Sequence, residues 1–171
     1  MAKKAMTPED IEELIGTKLP DDYRAFLSGH AESHFDVSKH YPITEKTPFG
    51  DTAVLDELAT LKDFEKDGVN GFQDVSMLII GSNLFGYPTC LCLSPERFGH
   101  IFYYDIQQRS LWEEDQFYSM FENLADEIKD YLKMRSDGKL PQKEEGFESF
   151  YHAANSFTEF MGLLKDEEIE D

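Results

Sequence analysis

His30-Ala31-Glu32 and, further on, Pro88-Thr89-Cys90-Leu91-Cys92 come near to a catalytic constellation. A zinc-dependent deaminase uses H-x-E followed by P-C-x-x-C. One histidine and two cysteines hold the metal there, and the glutamate faces its water. The first half fits. In the second half, Thr89 separates Pro88 from Cys90, and only Leu91 separates the cysteines. Cysteines one residue apart on a strand share a face, whereas a tetrahedral site needs ligands that converge. A disulfide between such near neighbours would need strained geometry. The expectation is two reduced core thiols, a loop histidine, no bound zinc and no cofactor. His30 and His34 are four apart, but Gly29 ends the helix before them, and the H-E-x-x-H order is missing. His40, His100 and His152 stand singly.

Gly81-Ser82-Asn83-Leu84-Phe85-Gly86 has the glycine spacing of a phosphate loop. Such a loop continues into Lys, then Ser or Thr, at the start of a helix. Here Tyr87 and Pro88 follow, then another apolar run, so the glycines are expected to serve a hairpin turn. No G-x-S-x-G elbow is present. Among 35 acidic residues, pairs of carboxylates occur by chance, so they carry no glycosidase signal. The residues point to no reaction, and the chain is expected not to be an enzyme.

The elements follow from periodicity. Thr7-Pro8-Glu9-Asp10 reads as a helix start, with an N-cap, Pro at the first helical position and Asp10 in capping-box register. Ile11, Leu14 and Ile15 form the stripe, and Gly16 stops it. After Leu19-Pro20, a second helix carries Tyr23, Phe26 and Leu27 and ends near Gly29. Residues 32–43 read as a weak strand and 46–50 as a loop. Val54, Leu55, Leu58, Leu61 and Phe64 predict a helix over 52–66. The apolar run from Met77 that ends at Gly81, the apolar run that ends at Leu93 and Gly99–Asp105 predict three antiparallel strands, and 109–113 a fourth. Helices are predicted over 115–135, with Phe117, Phe121, Leu124, Ile128, Tyr131 and Leu132 on one face, and over 144–165, with Phe147, Phe150, Tyr151, Ala154, Phe157, Met161 and Leu164. These two helices are expected to pack through their aromatic stripes. The fold class is α+β: an antiparallel meander sheet flanked by N-terminal and C-terminal helices. Residues 1–165 read as one domain and 166–171 as an acidic tail.

The 171 residues carry 16 basic and 35 acidic side chains, a net charge of -19. Such a surface repels phosphate backbones and anionic membranes and favours a basic protein partner. Nucleic acid and membrane are therefore not expected as partners. No apolar run reaches the roughly 18 residues of a membrane span. Thr7-Pro8-Glu9-Asp10 stands where a signal peptide needs apolar residues, so a cytoplasmic location is expected. The only Trp stands beside three acids in Leu111-Trp112-Glu113-Glu114-Asp115. One reading packs Trp112 on the end of the sheet, with the acids facing the dipole of the next helix. The other makes Trp112, Glu113, Glu114 and Asp115 a partner-binding patch, with Tyr104 and Asp105 beside it.

Four short motifs together resemble the SMI1/KNR4 family, also called the SUKH superfamily. They are Leu19-Pro20-Asp21-Asp22-Tyr23 with Phe26-Leu27; Ile80-Gly81, Asn83, Gly86 and Leu91-Cys92-Leu93; Gly99 with Phe102, Tyr104 and Asp105; and Ala154-Asn155-Ser156-Phe157-Thr158-Glu159-Phe160. Tyr87-Pro88-Thr89 departs from the small polar residues usual after the turn, and 115–135 looks like an insertion. The resemblance implies the α+β fold. It also implies a binding protein that does no chemistry. Bacterial members are commonly immunity proteins that neutralise a toxin, whereas eukaryotic relatives act in signalling and cell-wall regulation. An immunity protein that binds a basic toxin domain, such as a nuclease, and a regulatory protein-interaction module are the two functions implied.

Overall fold

A computed structural model of the chain describes residues 6–30, 35–47, 50–105, 126–140, 144, 146, 147 and 149–166. Helix α1, Pro8–Ile15, begins as its residues dictate. The Asp10 amide donates to Thr7 Oγ1 at 3.3 Å, and the Thr7 amide donates to Asp10 Oδ2 at 2.8 Å. Gly16 closes it with φ +77°. Helix α2, Asp21–Ser28, follows Leu19-Pro20 and buries Tyr23 and Leu27. Strands β1, Phe35–Thr47, and β2, Gly50–Leu58, come next, then helix α3, Leu61–Asp67. The remaining elements are β3, Gly71–Phe72; β4, Met77–Ser82; β5, Pro88–Cys92; β6, Ile101–Tyr104; helix α4, Asp126–Ser136; β7, Phe150–Ala154; and helix α5, Phe157–Leu163.

All strand pairs are antiparallel, in the order β1-β2-β4-β5-β6-β7, with β3 on β4. The sheet is wider than the 77–112 segment in which it was expected. Two predicted helices contain strands. In 52–66, Ala53 and Leu55 are buried while Thr52 is exposed, the alternation of a strand. The helix starts only at Leu61, where Thr60 caps it: the Thr60 amide donates to Asp63 Oδ2 at 2.8 Å. In 144–165, Phe150–Ala154 pairs with β6, and Ser156 caps α5 by accepting from the Glu159 amide at 3.0 Å. The two aromatic stripes therefore do not meet as helix on helix. Tyr131 of α4 instead meets Tyr151 of strand β7, hydroxyl to hydroxyl at 3.0 Å, both fully buried. The strand expected over 109–113 and the first part of the helix over 115–135 lie outside the described residues.

Both faces of the sheet are covered. On one face, Leu55, Leu58, Ile80, Leu91 and Ile101 pack with Ile11, Tyr23, Leu27, Phe64, Phe157 and Phe160 from the helices. On the other, Met77, Cys90, Cys92, Phe102, Tyr104 and Phe150 form a second cluster, with Phe72 and Phe147 against it. Every residue of β5 is buried, so its sequence reads as a near-continuous apolar run.

Helices α2 and α5 of the larger cluster are joined directly. Asp22 Oδ2 accepts from the Thr158 amide and hydroxyl, each at 2.9 Å. The Tyr23 and Phe26 rings each lie 5.1 Å from that of Phe157. At the outer edge of β1, the His40 amide donates to the Lys165 carbonyl at 2.9 Å, and the Lys165 amide returns a bond of 2.8 Å. Thr44 Oγ1 donates to the His152 carbonyl at 2.9 Å, which ties β1 to β7.

Candidate functional site

Asn83 organises the turn between β4 and β5. Its amide donates to the Tyr87 carbonyl at 3.1 Å, and its carbonyl accepts from the Gly86 amide at 3.0 Å. Its side-chain Oδ1 accepts from the Phe85 and Tyr87 amides, both at 3.0 Å. Asp56 of β2 reaches across, accepting from the Leu84 amide at 2.6 Å. Gly86 has φ +83°, the left-handed residue that closes such a hairpin loop. The hairpin reading of this segment holds, and with a strand after it no helix N-terminus meets an anion. Gly81 serves differently from Gly86. It lies within β4, where an added Cβ would sit 2.6 Å from the Glu57 carbonyl oxygen.

This turn lifts Leu84 and Phe85 into solvent, 87% and 85% exposed. Leu14 and Phe98 are also exposed, but they stand singly, as is normal on any surface. Two adjacent large apolar side chains on a hydrogen-bonded turn present contact area at small entropic cost. The sequence held the signal. Leu84 and Phe85 fall between Asn83 and the turn glycine, where side chains leave the sheet, and the hairpin reading of 81–86 drew on the glycines and not on this apolar pair.

Of the six partner-binding residues singled out from sequence, two fall among the described residues. Trp112, Glu113, Glu114 and Asp115 lie outside the described residues. Tyr104 and Asp105 are buried, 6% and 1% exposed. The Tyr104 ring lies 4.5 Å from Phe72 and 4.8 Å from Phe150, and the Asp105 amide donates to the Ser149 carbonyl at 2.9 Å. Tyr104 packs in the second cluster, and Asp105 ties the end of β6 to the residue before β7. Cys90 and Cys92 are free, buried and on one face, and burial pushes the Cys90 thiol up, away from thiolate chemistry. His30 Nδ1 lies 2.6 Å from the Phe26 carbonyl. Glu32 and His34 are outside the described residues. Among the described residues, no group of three or more His, Cys, Asp or Glu could hold a metal ion.

Two histidines do meet. The His100 and His152 rings lie 5.2 Å apart. The single Thr44 hydroxyl proton goes to the His152 carbonyl, so the contact of 3.1 Å with Nδ1 makes that nitrogen the donor. Burial lowers the His100 pKa below its ordinary value of 6.5. His152 and Arg97 act in the same direction, and Glu159 opposes them. The unfolded chain then binds the proton more readily than the folded one. Stability should be full above the ordinary histidine range and decline as pH falls through it toward the folded value. Thermal melts between pH 8 and 5.5 should show a shallow fall starting near 6.5, and His100→Gln should flatten it. A wild-type melting temperature that is level across that range removes His100 as the cause.

The turn presents an exposed apolar pair, and a comparison with protein families assigns the chain to a family. The model of the SMI1/KNR4 family (SUKH-1) matches residues 7–163 of the chain. The chain belongs to the SMI1/KNR4 family. No curated protein and no solved structure matches it. SMI1/KNR4 membership supports a protein-binding role, of the toxin-immunity or SMI1/KNR4 kind in general, and a generally non-catalytic mode of action. The motifs that carry the family likeness are mostly structural. Asp22, Tyr23 and Phe26 join Phe157 and Thr158 across the two ends of the fold. Ile80 and Leu91 fill the sheet. Asn83 and Gly86 among them build the exposed turn. Among the described residues, no helix is long and apolar enough to cross a membrane.

Proposed function

We propose that the chain is an immunity protein that neutralises a basic toxin domain by occupying it. The net charge of -19 carries this reading. A toxin that cleaves or modifies nucleic acid must present a positive surface to phosphate, and a strongly acidic protein competes for that surface. Electrostatic complementarity acts mainly on the rate of encounter, while apolar anchors set how long the complex lasts. Trp112, Glu113, Glu114 and Asp115 belong to the proposed interface on sequence grounds. Trp112 supplies an aromatic anchor there, and the three acids supply steering.

Binding kinetics against the toxin domain encoded in a neighbouring gene test this. Association should slow steeply as salt rises from low to physiological strength. Trp112→Ala should cost about 2 kcal/mol of binding, and reversing the three acids should reduce the on-rate more than it changes the off-rate. Equal kinetics in both variants would remove that patch from the interface. A toxin domain that neither binds nor is neutralised would shift the reading to a regulatory interaction module of the SMI1/KNR4 type.

A further inference from the structure

We infer that the Leu84–Phe85 tip is a docking anchor that fills an apolar cleft on a basic protein, with lysine or arginine on the cleft's rim. This rests on the reading that the chain acts by binding a basic protein, and it names the element that enters the partner. Three observations carry it. The two side chains are the most exposed large apolar groups among the described residues, and they are adjacent. The turn beneath them is fixed by the side chains of Asn83 and Asp56, both bonded to its amides. Little ordering therefore remains to be lost on binding. Finally, the base of the turn is acidic. Asp56 bonds the Leu84 amide, and exposed Glu57 sits opposite Ser82, the last residue of β4. An apolar tip on an acidic collar is complementary to an apolar cleft with a basic rim.

The same charge argues against other occupants. Two copies at -19 each repel one another, and an anionic bilayer repels the collar. A cleft that admits two adjacent side chains matches the concave form of an active site, so docking there would block access to it.

The experiment uses the full chain and, as probe, the toxin domain encoded in the neighbouring gene. Leu84→Ser/Phe85→Ser removes the apolar groups without adding charge, and the turn keeps Asn83, Asp56 and Gly86. Affinity should fall about 30-fold or more, through a faster off-rate, with the on-rate and its salt slope unchanged. Asn83→Ala should weaken binding several-fold by loosening the turn, while Asn83→Asp, which keeps the acceptor oxygen, should restore most of it. Thermal melts and amide spectra of each variant confirm folding. If the wild type binds the toxin domain and the double variant binds it equally, the tip inference falls and the immunity reading stands. If the wild type does not bind it, both fall. Concentration-dependent dimerisation of the wild type that the double variant loses would make a second copy the occupant. Tip-dependent binding to phosphatidylcholine vesicles would make it a lipid surface. Either result overturns the inference.

Discussion

Replacing Tyr151 with Ala should destabilise the fold by about 3–5 kcal/mol, the range for deleting a large buried aromatic side chain. Tyr151 is fully buried in β7, packs into the larger cluster and pairs with Tyr103 of β6. Its hydroxyl meets that of Tyr131 at 3.0 Å, so the substitution opens a void and severs β7 from α4 together. For a chain of this size the melting temperature should drop by roughly 10 °C. Tyr151→Phe keeps the ring and should cost only about 1 kcal/mol. Denaturant unfolding of the two variants checks this. Equal losses would mean that the hydroxyl contact, and not the ring's volume, sets the stability of this seam.

Gly81→Ala should cost about 3 kcal/mol, the upper end of overpacking by one methyl. The new Cβ would sit 2.6 Å from the Glu57 carbonyl oxygen, 2.9 Å from Leu55 Cδ1 and 3.1 Å from Leu58 Cδ2. The leucine ends can turn aside, but the carbonyl belongs to the backbone of β2. Strand β2 pairs with β4 over a short seam, Glu57↔Ser82 and Leu58↔Gly81, which the Ala59 amide extends by donating to the Ile80 carbonyl at 2.8 Å, so a shift at Gly81 strains most of its length. Hydrogen exchange should show β1 and β2 losing protection before β5 and β6. A melting temperature within about 2 °C of wild type would show that the seam yields without loss.

These two sites also show how far the sequence could be read. The capping box at Thr7 and the stop at Gly16 are local chemistry, and α1 follows them to the residue. The three strands from Met77 to Asp105 were legible because turn residues separate them. The β2–α3 region was not, because leucines at 55, 58 and 61 satisfy a helical spacing while dividing between a strand and a helix. The deciding signal was Thr60-x-x-Asp63, a second capping box, which marks where the helix begins. Phe150–Ala154 misled for another reason. It is buried on both faces, so no alternation distinguishes it from a helix interior. The glycine pair at 81 and 86 reads from sequence as one turn signal. It divides into a left-handed turn residue and a point of close strand approach that only the packing reveals. Among the candidate site residues, Tyr104 and Asp105 looked like the end of an exposed strand. Only the tertiary arrangement, with Phe72, Phe150 and Ser149 against them, shows why they are buried. The segment 81–86 was legible as a turn through its glycines, but only the loop geometry shows that Leu84 and Phe85 both stand in solvent.

The bond from Thr158 to Asp22 spans 136 residues of chain. During synthesis at roughly 5–20 residues per second, those residues occupy roughly 7–27 s. For most of that interval α2 is already made, but Phe157, against which Tyr23 and Phe26 close, is not. The aromatic face of the first helices therefore waits in the open on every ribosome that makes this protein, and a nascent-chain chaperone that shields it should raise the yield of folded molecules.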